Sequence, residues 1–156
     1  MRRPLIFITF IIACTLGMSA NASEYLKITH ATSRATFPNA PTGAVYMTIK
    51  NEGSKQTTLH ETDVDGDIAA EAQIHTTEAQ GDMMKMREVT EGITLMPGEE
   101  VVFNPGGRHI MLMGLKQALK VGQTFNVTLK FDDNQSVLVP VAVKDPEESM
   151  SHHHHH

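Results

Sequence analysis

Turn-forming clusters divide this chain into segments too short for long helices. They fall at Asn51-Glu52-Gly53, Gln80-Gly81-Asp82, Pro97-Gly98, Asn104-Pro105-Gly106-Gly107 and Asp132-Asp133-Asn134, and all are rich in residues that favour turns. The segments between them alternate apolar with polar residues or are rich in β-branched ones, which is the pattern of an all-β sandwich or barrel. Strands are predicted over Tyr25–Ala31, Ala44–Asn51, Thr57–Val64, Ala70–Thr77, Met83–Val89, Glu99–Asn104, His109–Met113, Thr124–Phe131 and Ser136–Val143. Only Leu115–Val121 and Ile68–Glu71 offer a helical turn. No internal repeat or long linker is visible, so residues 23–145 read as one β-domain.

The N-terminus sets the compartment. Arg2 and Arg3 precede an apolar run from Leu5 to Leu16 and then Ala20-Asn21-Ala22, which is a secretory signal with cleavage expected after Ala22. The run is shorter than the roughly 20 apolar residues that span a bilayer, so residues 1–22 read as a signal peptide and the mature protein as exported, with no membrane insertion. Cys14 follows Ile11-Ile12-Ala13 in a context like a lipoprotein-processing box, but it lies inside the apolar run. It is also the one cysteine of the chain. The mature domain therefore has neither thiolate nor disulfide, and any metal site in it must be built without cysteine sulfur. Acidic residues outnumber basic ones by 18 to 13, and loss of Arg2 and Arg3 increases the imbalance. Nucleic acid is excluded as a partner by that sign.

Sulfur returns in another form. The chain has 10 methionines and no tryptophan. His75, Met84, Met86, His109, Met111 and Met113 stand on predicted strands, where residues two apart share a face. His109 therefore projects with Met111, and Met84 with Met86, while Met83 and Lys85 project the other way. Thioether sulfur is soft and uncharged and suits Cu(I). Zinc more often takes thiolate or carboxylate beside histidine. Packing is the competing use of methionine, and Met47 and Met96 are assigned to the core. His30 and His60 are assigned to solvent.

The stretch from His75 to Met86, followed by Asn104-Pro105-Gly106-Gly107-Arg108-His109-Ile110-Met111-Leu112-Met113-Gly114-Leu115, resembles the periplasmic copper chaperones of the PCu(A)C type. Their signature is a His, ten residues, a Met, about twenty-one residues and His-x-Met. Ala44 to Asn51 is similar to their early strand, and the likeness runs from about residue 25 to 143. By that resemblance His75, Met86, His109 and Met111 occupy the four Cu(I) ligand positions, and the fold is a cupredoxin-like Greek-key β-barrel or sandwich. Ten residues separate His75 from Met86, as in the signature, but twenty-two separate Met86 from His109. The extra residue is expected in the turn around Glu91-Gly92 or Pro97-Gly98, because inside a strand it would turn a ligand to the wrong face.

The resemblance further implies a monomeric metallochaperone, delivering Cu(I) toward the binuclear copper centre of a cytochrome oxidase alongside a thiol-containing partner chaperone. A periplasmic copper buffer or resistance protein would use the same ligands. A blue-copper electron carrier would need the absent thiolate, and no residue near His75 and His109 stands out as the general base of an enzyme. Residues 146–156 shift to Pro, Glu, Ser and Met and end in His152–His156, a composition that cannot fold alone. This tract reads equally as an affinity tag or as a native extension, and as a native extension it is expected to bind Cu(II).

Overall fold

The computed structural model describes residues 25–146. The signal peptide with Cys14, the cleavage site at Ala22 and the His152–His156 tract lie outside the described residues. Ten strands follow in order: β1 Leu26–Arg34, β2 Thr42–Asn51, β3 Thr57–Val64, β4 Ala69–Gln80, β5 Met83–Glu88, β6 Ile93–Leu95, β7 Glu100–Phe103, β8 His109–Leu115, β9 Thr124–Phe131 and β10 Ser136–Lys144.

Seven of them close into a barrel: β3 pairs β4, then β8, β2, β1, β10 and β9 follow, and β9 returns to β3. Closure between β3 and β4 is made at Thr62 and Ala72. β1 and β10 run parallel over Thr32–Arg34 and Ala142–Lys144, and every other pairing among the described residues is antiparallel. The chain crosses the barrel from β2 to β3 and again from β8 to β9, since neither pair is adjacent. Those crossings make it a Greek-key barrel of the all-β class, as expected. β5, β6 and β7 are additions, carried by β4, β3 and β2 respectively. Among the described residues no helix is long and apolar enough to cross a membrane.

Alternation explains both faces. On β2, Val45, Met47 and Ile49 are buried while Ala44, Tyr46 and Thr48 stand outward, half exposed. β9 buries Phe125, Val127, Leu129 and Phe131 by the same two-residue period, and β8 buries Ile110 and Leu112. Filling the barrel with such side chains contributes about 1.5–3 kcal/mol for each large one fully removed from water. The core is therefore complete without using the outer face of β8.

Several expectations need correction. Ile93–Leu95 forms a strand that the periodicity does not predict, because a strand of three residues is too short to display a period. Its alternation also decides Met96: Leu95 points into the core, so Met96 points out and is 52% exposed, not buried. Met47 is in the core, and His30 and His60 are exposed, as expected. No helical turn forms at Ile68–Glu71 or Leu115–Val121, where β4 begins and β8 ends. Instead Leu119 is buried, and its backbone N–H donates to Thr36 Oγ1 at 2.9 Å while its carbonyl accepts from the Thr36 N–H at 3.0 Å. Those partners leave the segment no need of helical bonds. A 3-10 turn covers Asp132–Asn134.

The two faces of β8 should respond differently to substitution. Leu112→Ala, in the core, is expected to destabilise the domain by about 2–5 kcal/mol. Met113→Leu, one residue on and outward, should cost less than about 1.5 kcal/mol. Urea unfolding of both variants measures the difference.

Candidate metal centre

β4 is the strand on which the site is assembled. Along one edge it pairs β8, placing His75 opposite His109, Gln73 opposite Met111 and Glu71 opposite Met113. Along the other edge it pairs β5, placing Glu88 opposite His75, Met86 opposite Thr77 and Met84 opposite Ala79. Since Ile74, Ile110 and Leu112 point into the core, these partners all point outward. His75, Met86, His109 and Met111 thus share one outer face, where the two-residue period joins only His109 with Met111 and Met84 with Met86. The two imidazole centroids are 5.9 Å apart, with ring planes tilted by 47°.

The turn before β8 sets the orientation of His109. Asn104 N–H donates to the Arg108 carbonyl at 2.8 Å and Gly107 N–H to the Asn104 carbonyl at 3.2 Å. A Cβ on Gly107 would lie 2.6 Å from Asn104 Oδ1, so a larger residue there would require the Asn104 side chain to rotate. The Gly107 carbonyl then accepts from His109 Nδ1 at 3.1 Å and from the Thr77 N–H at 3.2 Å. A carbonyl only accepts, so His109 carries its proton on Nδ1 and presents the lone pair of Nε2.

His75 is oriented by a chain of side chains. Gln73 Nε2 donates to the Glu71 carboxylate at 3.0 Å, which fixes the amide so that its Oε1 faces His75 Nε2, also at 3.0 Å. An amide oxygen can only accept, so Nε2 of His75 holds the proton and Nδ1 holds the lone pair. Burial, reinforced by the neighbouring His109 and opposed by Glu88, pushes His75 below its ordinary value of 6.5. The ring is therefore neutral at neutral pH, with its lone pair free to bind.

These two lone pairs have a common property. His75 Nδ1 and His109 Nε2 are the buried side-chain nitrogen or oxygen atoms without a hydrogen-bond partner among the described residues. An unsatisfied buried polar atom costs about 1–3 kcal/mol, and a metal ion would relieve both. Among the described residues no three His, Cys, Asp or Glu side chains stand where they could hold a metal together. The donors beside the imidazoles are thioethers, with Met111 half-buried on β8 and Met86 47% exposed on β5.

The β4–β5 hairpin that carries Met86 is lightly held. Every residue of β5 is exposed, and on the face away from the imidazoles Arg87 bridges Glu78 at 3.1 Å and Glu91 at 3.3 Å. Beneath it a cavity of about 200 Å³ is bounded by Thr76, Val89, Val101 and Arg108. Ion pairs this exposed are screened by solvent and hold the hairpin weakly, so it is the part of the site that can open most readily. Met86 and His109 each take their register from their own pairing with β4, independently of the twenty-two residues between them. The intervening chain forms β6 and β7.

Sequence reasoning misses two contributors. Gln73 shares parity with His75, so the two-residue rule could have found it. The Gly107 carbonyl could not be found, because its direction depends on how the turn closes.

Barrel and outer face together define a class of small β-domain that presents histidine and methionine beside an edge hairpin. The family model matched by residues 26–143 is that of the LpqE-like family, and the chain belongs to that family. It is 36% identical over 102 residues to "Putative lipoprotein Lxx21020" of Leifsonia xyli subsp. xyli, an alignment covering 65% of this chain and 60% of that protein. The chain thus spans about three-fifths of that relative's length. Among solved structures, Cu(I)-DR1885 from Deinococcus radiodurans is 32% identical with a TM-score of 0.62, over 83% of this chain and 84% of that one. A copper-bound PCuAC domain from PmoF2 is 25% identical with a TM-score of 0.64, over 80% and 97%. The fold is accordingly the cupredoxin-like fold of the PCuAC domains, and the family resemblance read from the sequence is upheld.

Nitrogen-15 NMR of the metal-free protein at neutral pH should show His75 as the Nε2–H tautomer and His109 as the Nδ1–H tautomer. Gln73→Leu should shift His75 to a tautomer mixture and leave His109 unchanged. A wild-type His75 already mixed would refute the Glu71–Gln73–His75 chain.

Proposed function

We propose that this protein is an exported Cu(I) metallochaperone which binds one ion through His75 Nδ1, His109 Nε2 and the sulfurs of Met86 and Met111. The observation that carries this reading is the pair of orphaned imidazole nitrogens on one outer face with two thioethers beside them. Two neutral imidazoles and two thioethers suit soft, singly charged copper. The likeness to Cu(I)-DR1885 and to a copper-bound PCuAC domain supports the same metal.

The geometry favours transfer over permanent burial. His109 is 4% exposed and tied to the turn, whereas Met86 is 47% exposed on the lightly held hairpin. Ligand exchange would begin at Met86: an incoming donor binds copper as the Met86 thioether leaves, with no change of oxidation state, and His109 is released last. The partner in this reading is a periplasmic recipient, namely an oxidase copper domain or a thiol-containing chaperone. A copper buffer is the second reading, because the same exposed site would serve it. The His152–His156 tract would add a separate Cu(II) site.

X-ray absorption of the Cu(I) form should show mixed sulfur and nitrogen coordination, and Met86→Leu and Met111→Leu should each lose sulfur while the apo fold survives. At a hundredfold excess over the dissociation constant, Cu(I) should stabilise the domain by about 2.7 kcal/mol. Loaded protein mixed with a purified oxidase copper domain should lose copper to it. Retention, or capture of copper from the loaded domain, would favour the buffer.

A further inference from the structure

The outer face carries more soft donors than one Cu(I) site needs, and they are arranged in order. Measured along β4, Met84 stands at the level of Ala79, Met86 at Thr77, the imidazoles at His75, Met111 at Gln73 and Met113 at Glu71. Each level is two residues, or about 6.8 Å, from the next. The outermost on the hairpin side is Met84, which is 64% exposed. An exposed methionine gains little from burial, and Met84 packs on no core.

We infer that Met84 is an exchange ligand: the thioether on which Cu(I) first lands, and from which it leaves, on its way to and from the imidazole pair. This rests on the Cu(I) reading above and adds a residue to it. Met84 and Met86 leave the same face of β5, while Lys85 between them leaves the other, opposite Glu78. An unbranched side chain with three rotatable bonds can swing its sulfur across such a gap. The step is ligand substitution alone. A bond from copper to Met84 sulfur forms as one bond to the donor molecule breaks; Met86 then displaces Met84, the imidazole nitrogens and Met111 displace the remaining bonds to the donor molecule, and no electron or proton moves.

The hairpin provides its own control. Met83 is adjacent and 70% exposed, yet it pairs Gln80 and projects from the opposite face. A merely greasy hairpin tip would use both methionines alike, whereas a copper path can use only Met84.

The test is stopped-flow transfer of Cu(I) from its bicinchoninate complex to the full-length apo protein, compared with Met83→Leu and Met84→Leu variants, with equilibrium affinity measured by the same chelator. Met84→Leu should slow uptake about tenfold, equivalent to about 1.4 kcal/mol of barrier, at unchanged affinity. Met83→Leu should match the wild type. The inference is overturned if Met84→Leu takes up copper at the wild-type rate, if Met83→Leu slows it equally, or if Met84→Leu abolishes equilibrium binding, which would make Met84 a ligand of the resting site. A wild-type protein that takes no copper from the chelate would instead sink the underlying Cu(I) reading, an outcome distinct from all three.

Discussion

The pairing of β4 with β8 is the constraint on which everything else in this protein depends. That register sets His75 directly across from His109, and the same ladder places Ile74 beside Ile110 and Ala72 beside Leu112 in the core. A slip of one residue in either strand would turn that strand's imidazole toward the barrel interior and its isoleucine outward. Hydrophobic burial on the inner face therefore holds the site on the outer one, although no core side chain has to touch the metal.

Register alone brings the rings together; it does not decide which nitrogen each one offers. That choice is made by groups able only to accept hydrogen bonds. The Gly107 carbonyl holds the proton of His109 on Nδ1, and the Gln73 amide oxygen, fixed by Glu71, holds that of His75 on Nε2. The protein thus keeps two buried lone pairs unsatisfied, at a cost its complete core can bear. Such second-layer partners commonly fix the tautomer and ring orientation of metal-ligating histidines.

The two sides of the centre differ in rigidity for a visible reason. His109 and Met111 belong to a strand flanked by β4 and β2 and backed by the core. Met86 and Met84 belong to an exposed edge strand braced by Arg87 through ion pairs with Glu78 and Glu91. One half of the face is thus fixed by the core and the other is held only at the surface.

Much of this is legible in the order of the amino acids. The turn clusters and two-residue periods determine the all-β class and most strands, and the absence of cysteine beyond Cys14 leaves thioether as the sulfur donor the mature domain can offer. Parity along single strands groups His109 with Met111 and Met84 with Met86. What escapes such reading is short or non-local. Ile93–Leu95 is too brief to show a period, Met96 depends on that strand's phase, and Leu119 finds its backbone partners in Thr36. The sequence could not decide which strands neighbour one another, because hydrogen-bond pairing joins residues far apart in the chain. Tertiary structure alone set His75 against His109, turned the Gly107 carbonyl toward an imidazole, and brought the Met84 and Met86 face of β5 alongside them.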